Sequence, residues 1–502
     1  MTQQQKRRWL LVLVVLACVL VVGVAFARPG GGHSYSGGSR SSGSSRSSGG
    51  GGGGGGDGGF LIEILIYLII ENPAVGIPLV IIIGVGMLVR AAIQRGMKSW
   101  STTTTDVSKV TTYERPTSGP RKRMEELRAV DPEFSVVLFE DFVYMMYTAL
   151  HRARAIGTGP ISAYLEPGLA AALPDPNLAD VQGIVIGALK YEDFSGLGSG
   201  TIRVEFEVEA NFVEVMKNGQ QHRYYVVDQL VLTRSHSAKS RPFSRAHKLD
   251  CPNCGAPLES MRGTQCSYCR QDVGMGRFDW MIAGLSNLQR EPRGPLLTGD
   301  TPETGTDSPT ITDASAPMRF QQLQQRDPTL TWQSFTHRMA HVFGALQVAW
   351  SGRDPLQIRP YVSDNLFQTM MYWIDLYIAS RCRNVTENAR ILRIDLANVT
   401  SDKHYDAITV RMFASSIDYT IGDDGKLLSG HRSRVRTYSE YWTWIRGTAR
   451  RGQSRGDLAC PNCGAGLRIG MAGTCEYCRV KVTAGEFDWV LSRIEQDDSY
   501  TG

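Results

Sequence analysis

Eight of the ten cysteines in this 502-residue chain fall into two clusters with the same spacing. In each cluster, two residues separate the cysteines of a pair and eleven separate the pairs. The first cluster is Cys251, Cys254, Cys266 and Cys269, and the second, shifted by 209 positions, is Cys460, Cys463, Cys475 and Cys478. Two intervening residues let one tight turn point both sulfurs at the same ion, so this spacing is typical of a zinc ribbon.

Four thiolates complete a tetrahedral shell around Zn²⁺ and leave no open position, whereas a catalytic zinc usually keeps a water ligand. The sequence therefore predicts two structural zinc ions per chain, with redox or iron–sulfur chemistry as the alternative use of the same ligands. The glycine after Cys254 and after Cys463 suits the positive φ that such turns often require. Disulfides would also explain an even number of cysteines in an oxidising compartment.

The N-terminal region has the pattern of a membrane protein. Residues 1–27 combine a basic start with an apolar stretch and are predicted to be a signal peptide or a signal anchor. Residues 28–59, which are rich in Gly and Ser, are predicted to be a flexible tether. Residues 60–93 are predicted to cross the membrane, in one or two passes.

Basic residues give the predicted orientation. Arg90, Arg95 and Lys98 lie at the C-terminal end of the apolar region, and the positive-inside rule places this end in the cytoplasm. The juxtamembrane linker, residues 94–123, and everything after it are then in a reducing compartment. This location favours thiolates that hold metal over disulfides.

After the linker, the chain repeats one order of predicted elements: helices, strands, cysteine cluster, short helix. The predicted units are a first module (124–250), a zinc ribbon with its closing helix (251–290), a linker (291–317), a second module (318–459), and a second ribbon with its closing helix (460–502). Helices followed by an antiparallel meander indicate the α+β class. We therefore predict two cone-like modules, each with helices packed on a bent antiparallel sheet.

Local patterns place some of these elements. Asp131-Pro132 is predicted to start a helix in the first module, and Ser363 is predicted to cap a helix that ends near Arg381. The segment Thr201–Ala210 alternates apolar and polar residues and is predicted to be a strand. The last strand of each module shares a pattern, Asp228-x-Leu230-x-Leu232-x-Arg234 in the first and Glu440-x-Trp442-x-Trp444-x-Arg446 in the second.

The second module carries an ordered series of residues over more than 100 positions: Ala349-Trp350, Asp354-Pro355, Arg359-Pro360-Tyr361-x-Ser363-x-x-Leu366-Phe367, Trp373, Tyr377 and Asp406-Ala-Ile-Thr-Val410. Over most of residues 318–450 this series resembles the Tim44-like domain. That family is named for the membrane-tethering subunit of the mitochondrial inner-membrane import motor. The first module resembles it more loosely, through the order of its helices and strands.

The resemblance implies a fold like that of nuclear transport factor two, in which helices and a bent sheet enclose an apolar pocket. Bacterial relatives often begin with the same signal, tether and membrane segment, which implies an integral protein of the bacterial inner membrane with cytoplasmic modules. It also implies contact with lipid and the tethering of a partner. The residues expected to line the pocket, each of which also suits an ordinary core, are Trp373, Tyr377, Met412, Tyr419 and Trp442.

The predicted function is that of a non-catalytic, membrane-anchored scaffold. It would bind lipid, a hydrophobic peptide or a partner protein, in protein transport or membrane biogenesis. Two alternatives remain open, a protein that binds nucleic acid through its ribbons and an enzyme that uses the cone pocket. The formal charge of +5 is small for this length and disfavours nucleic acid as the partner. The sequence pattern also shows no converging Asp/His or Glu/His set, which disfavours a small-molecule substrate.

Overall fold

The computed structural model describes residues 112–114, 119–241, 251–253, 261–262, 265–267, 269–273, 279–292, 305–452, 459–470, 472–497 and 499–502. The segments predicted as signal, tether and membrane span (1–27, 28–59 and 60–93) lie outside these residues, as does Cys254. Within the described ranges, no helix is both long and apolar enough to span a membrane. We call residues 119–292 the N-terminal half and residues 305–502 the C-terminal half.

The first elements, in chain order, are β1 (Thr112–Glu114), α1 (Pro120–Arg123), a 3₁₀ turn (Met124–Ala129), α2 (Val136–Ile156), a 3₁₀ turn (Gly159–Tyr164), α3 (Pro167–Ala172), β2 (Leu178–Ser195), β3 (Thr201–Met216), β4 (Gln221–Ser235), β5 (Met261–Arg262), β6 (Gln265–Cys266) and β7 (Met281–Glu291). Strands β2, β3, β4 and β7 form an antiparallel sheet in that order. Helix α2 packs on one face of this sheet, where the alternating residues Ile202, Val204, Phe206 and Val208 are fully buried, as predicted.

Helix α2 was predicted to start at Asp131-Pro132, but it starts at Val136. Its cap is Ser135, whose hydroxyl accepts a hydrogen bond from the Leu138 N–H at 3.4 Å. Asp131 is instead buried, and its carboxylate binds Arg234 on β4. A tertiary ion pair therefore uses the side chain that the local pattern assigned to helix capping.

The elements of the C-terminal half are β8 (Thr310–Thr312), α4 (Ala316–Arg326), α5 (Trp332–Gly352), two 3₁₀ turns (Pro355–Gln357 and Arg359–Tyr361), α6 (Asp364–Ala379), β9 (Cys382–Ser401), β10 (Tyr405–Gly422), β11 (Leu427–Gly447) and β12 (Val490–Gln496). Strands β9 to β12 form a second four-stranded antiparallel sheet in chain order. Helices α4, α5 and α6 contribute to a large core on one face of it. Ser363 caps α6 as predicted, accepting a hydrogen bond from the Leu366 N–H at 3.3 Å. The α+β class and the antiparallel sheets are therefore confirmed.

The two predicted closing helices are wrong, because both segments are β-strands. The segment after Trp280 is β7, which pairs with β4, and the segment after Trp489 is β12, which pairs with β11. These strands satisfy the backbone hydrogen-bonding groups along one edge of each meander, which would otherwise need other partners. Gly284, in the middle of β7, further disfavours a helix.

The two halves contact each other and belong to one compact unit of the chain. Leu138, near the start of α2, packs against Tyr405, Ala407, Ile445 and Val490 of the C-terminal half. This contact lies on the face of the second sheet opposite its helices. It helps to explain why β10 is buried along almost its entire length, on both faces.

Residues 305–317 of the predicted linker 291–317 pack against the C-terminal half. Its strand β8 pairs in parallel with β1, which belongs to the predicted juxtamembrane linker. Arg411, which is fully buried, donates hydrogen bonds to the carbonyls of Gly305 (2.8 Å) and Ser308 (2.7 Å) and to Asp497 (2.9 Å). This arginine therefore anchors the linker on the sheet.

Candidate functional sites

The second cysteine cluster has the geometry of a metal centre. The sulfurs of Cys460, Cys463, Cys475 and Cys478 all lie within 4.8 Å of one another. Those of Cys460 and Cys478 are 3.8 Å apart. Four sulfurs at about 2.3 Å from a tetrahedral zinc ion would be about 3.8 Å apart, so the cluster fits this ion.

Two tight turns bring these sulfurs together. In the first, the Gly464 N–H donates to the Cys460 carbonyl at 2.9 Å, and Gly464 has a φ of +73°, as the sequence predicted. In the second, the Arg479 N–H donates to the Cys475 carbonyl at 2.9 Å, and the φ of Arg479 is +64°. The sequence did not indicate this positive φ, because arginine rarely adopts it.

The described part of the first cluster is similar. The sulfurs of Cys251, Cys266 and Cys269 lie within 4.8 Å of one another, with Cys251 and Cys269 3.9 Å apart. Arg270 has a φ of +58° and stands 209 positions before Arg479. Three of the four predicted ligands are therefore brought together. The fourth, Cys254, lies outside the described residues.

The second cluster also favours the charged form of one ligand. Hydrogen bonds from the Asn462 side chain and the Val480 N–H lower the pKa of Cys478 to about 6. The Ala465 N–H also acts to lower the pKa of Cys463, but burial and hydrogen bonds with the other three sulfurs outweigh it and raise that pKa to about 11. The thiolate is the form that binds metal. No disulfide links the described cysteines of either cluster. Both clusters could therefore hold a metal ion, and a complete set of four thiolates would leave no position for a substrate.

Polar contacts attach the loop of the second cluster to the N-terminus of α6. Asp364 accepts hydrogen bonds from Lys481 at 2.5 Å, Thr483 at 3.1 Å and Arg359 at 2.5 Å. Gly473, with a φ of +71°, approaches so closely that a Cβ atom there would lie 2.4 Å from an Arg359 nitrogen. The ribbon loop and helix α6 are thus held by one shared carboxylate and a close backbone contact.

A buried ion pair joins the segment after α4 to the sheet of the C-terminal half. Arg446, at the end of β11, binds Asp327 at 3.0 Å, with both side chains 3% exposed. The guanidinium lies 4.6 Å from the ring centroid of Trp489, the residue just before β12. Three segments distant in sequence therefore meet at one arginine.

The N-terminal half contains the corresponding arrangement. Arg234, at the end of β4, binds Asp131 at 2.9 Å and lies 5.0 Å from the ring centroid of Trp280. The shared strand pattern predicted a correspondence between Arg234 and Arg446, but not their partners. The available signal was the Asp-Pro dipeptide, present at Asp131 and again at Asp327.

The five residues predicted to line an apolar pocket are all buried side chains. Trp373, Tyr377, Met412 and Trp442 belong to the large core of the C-terminal half, and Tyr419 is 5% exposed. None of the five lines the cavity between the two halves. The assignment of these five to a ligand pocket stays a prediction.

A cavity of about 100 Å³ lies between the two halves. Apolar side chains such as Val136, Leu189 and Ile445 form part of its wall. Its charged centre is Glu140, which accepts hydrogen bonds from the Tyr191 hydroxyl at 3.0 Å and from Arg121 at 3.2 Å. The other Glu140 oxygen pairs with Arg493 of the C-terminal half at 3.0 Å.

Burial raises the pKa of Glu140. Burial and the neighbouring carboxylates of Glu140 and Asp364 also raise the pKa of Asp141 to about 7. Asp141 accepts a hydrogen bond from Asn365, at the start of α6, at 2.9 Å. The cavity is therefore a polar joint between the halves, and the sequence did not indicate it because its residues are far apart along the chain.

The structure brings together one Asp/His set that the sequence pattern did not show. The Tyr147 hydroxyl donates to Asp228 at 2.7 Å, and His151 Nε2 lies 3.3 Å from the same carboxylate oxygen. Burial lowers the pKa of His151. All three residues are at most 3% exposed, so this set is a polar cluster within the core and not an open active site.

The comparison with known proteins gives a partial identification. No curated protein matches this chain. One family model matches part of the C-terminal half, from the start of α4 to just beyond β11. Residues 318–454 are thereby matched to the Tim44-like domain.

Proposed function

We propose that this chain is a non-catalytic scaffold or binding protein, anchored in the bacterial inner membrane, with its two halves in the cytoplasm. The observation that carries the proposal is the Tim44-like match over residues 318–454, because this family generally has binding roles and not enzymatic ones. The buried state of the His151–Asp228 cluster supports the same conclusion.

We further propose that each cysteine cluster holds one structural zinc ion. The sulfur spacing of 3.8 Å in the second cluster and 3.9 Å in the first supports tetrahedral coordination. The second ribbon has little apolar interior of its own, since Cys460, Cys475 and Val482 are the buried members of a small separate group. A metal ion would supply the stability that such a small interior lacks.

The proposal also includes a duplication. The shift of 209 positions between the cysteine clusters supports it, as do the two equivalent groups formed by an aspartate, an arginine and a tryptophan. On this proposal both halves descend from one module, although only the second is matched by the family model. The bound ligand would be lipid, a hydrophobic peptide or a partner protein, in protein transport or membrane biogenesis.

The proposal is tested by purifying the full chain from membranes of its native host. Metal analysis should find two zinc ions per chain, and mass spectrometry should find bound acyl chains or a recurring partner protein. Protease added outside intact cells should leave the two halves intact. A preparation that carries no ligand and converts a small carbonyl substrate would refute the binding role. Binding to DNA or RNA at low salt would favour the nucleic-acid alternative.

A further inference from the structure

We infer that the second cysteine cluster is a redox-sensitive latch between the two halves. A hydroperoxide would oxidise the cluster at Cys463, release its metal, and free α6 from its contact with the N-terminal half. This inference rests on the proposed zinc ion in the same cluster. It adds a regulatory role to that ion.

The exposure of the cluster is uneven, which gives an oxidant a point of entry. Cys460 and Cys475 are fully buried, whereas Cys463 is exposed to solvent. A thiolate is a nucleophile even when it is bound to zinc, and its reactivity depends on access. Because the four sulfurs lie within 4.8 Å of one another, a small movement brings Cys463 to the bonding distance of about 2 Å from a second sulfur.

The chemistry needs only a hydroperoxide as co-reactant. The Cys463 thiolate attacks the terminal peroxide oxygen, the O–O bond breaks, and water or an alcohol leaves after taking up a proton. The resulting sulfenic acid is attacked by a second cluster thiolate, which forms a disulfide and expels hydroxide. Two thiolates have then lost two electrons in total, the peroxide has gained them, and the zinc ion is left with too few ligands to stay bound.

The two clusters are attached to the rest of the chain in different ways. Cys251 and Cys266 are part of the large core of the N-terminal half. Cys460 and Cys475 instead form a small group of their own. The second ribbon is joined to α6 through the polar contacts of Asp364 with Lys481 and Thr483 and through the close approach of Gly473 to Arg359. A change in the shape of the ribbon would break these contacts.

The next residue along α6 makes one of this helix's contacts with the other half. Asn365 donates a hydrogen bond to Asp141 of α2 at 2.9 Å, immediately beside the Asp364 carboxylate that the ribbon holds. Lys481 also favours the ionised form of Asp141 by its charge. If the ribbon contact is lost, Asp364 at the N-terminus of α6 loses its hydrogen bonds to the ribbon. The positive charge of Lys481 then no longer favours the ionised form of Asp141.

The test uses the full chain, first shown by metal analysis to hold two zinc ions. After treatment with hydrogen peroxide we expect one zinc ion to be released and Cys463 to be found in a disulfide by peptide mapping. Hydrogen exchange of peptides covering 136–144 and 364–379 should accelerate about 10- to 100-fold, as expected when one or two charged hydrogen bonds are lost. Reduction followed by added zinc should restore the slow exchange.

A matched variant tests the latch separately from the binding of zinc. Lys481→Met changes a side chain that is 34% exposed and removes its contact with Asp364, so we expect two bound zinc ions and fast exchange at the joint without oxidant. Release of zinc with unchanged exchange would refute the latch but not the structural metal. Thiols that stay reduced under peroxide would refute the redox step, and a chain without zinc would refute both the metal and the latch.

Discussion

Replacement of Arg446 by Met tests whether one buried arginine holds together the segment after α4, the segment before β12 and the sheet. The guanidinium binds Asp327, and both side chains are 3% exposed. It also lies over the ring of Trp489. Methionine fills much of the same volume but supplies no charge and no hydrogen bond.

The expected loss of stability depends on the hydrogen bonds that Asp327 keeps in the variant. Removing one member of a buried ion pair costs about 3–5 kcal/mol, because the other charge stays buried without its partner. Asp327 still accepts hydrogen bonds from the Thr329 hydroxyl at 2.7 Å and the Gly452 N–H at 3.3 Å. We therefore expect a decrease in the free energy of unfolding of about 3 kcal/mol, at the lower end of that range.

The assay is urea unfolding of the full chain, followed by tryptophan fluorescence, since Trp489 lies at the altered position. The double variant Asp327→Asn/Arg446→Met should recover at least half of the loss, because no buried charge is left unpaired. Arg234→Met is the matched change in the N-terminal half and should shift the unfolding of that half instead. A loss below about 1 kcal/mol for Arg446→Met, the size of an exposed ion pair, would refute the reasoning.

Three further predictions address other parts of the fold. Arg411→Met should lower the free energy of unfolding by about 3–5 kcal/mol, since it leaves Asp497 buried without its arginine, and limited proteolysis should then cut within residues 305–312. Because the pKa of Asp141 is raised from 3.8 to about 7, its ionisation opposes folding as pH rises through this interval. About two pH units of it lie above pH 5, so the group lowers the free energy of unfolding by roughly 2.7 kcal/mol between about pH 5 and pH 8, and Asp141→Asn should abolish this loss in urea unfolding at the two pH values. Gly473→Ala should accelerate spontaneous zinc loss to a chelator, because the new Cβ would clash with Arg359, and an unchanged rate would contradict this contact.

The sequence predicted those features that depend on short spacings. The cysteine pairs, the Ser363 cap, the alternation in β3 and the positive φ of Gly464 each follow from residues within a few positions of one another. Local stereochemistry is enough to determine such features.

Other features depend on partners that are distant along the chain. The segment after Trp489 forms a strand because the edge of β11 offers hydrogen-bonding groups, which the segment itself does not reveal. Asp131 fits a helix cap by local rules, yet it pairs with Arg234, 103 positions away. The polar joint around Glu140 combines residues from α1, α2, β2 and β12, so no single stretch of sequence could indicate it.

The residues that carry the resemblance to the Tim44-like domain also hold the second ribbon in place. The Ser363 N–H donates to the Leu491 carbonyl at 2.9 Å, and its hydroxyl donates to the Ser492 carbonyl at 3.0 Å, both in β12. Arg359, 1% exposed, binds the same Asp364 carboxylate that the ribbon contacts. The family match ends at residue 454, before the ribbon, but these contacts cross that boundary. The matched domain and the ribbon are therefore expected to fold as one unit, in which the metal stabilises the domain as well as the loop that binds it.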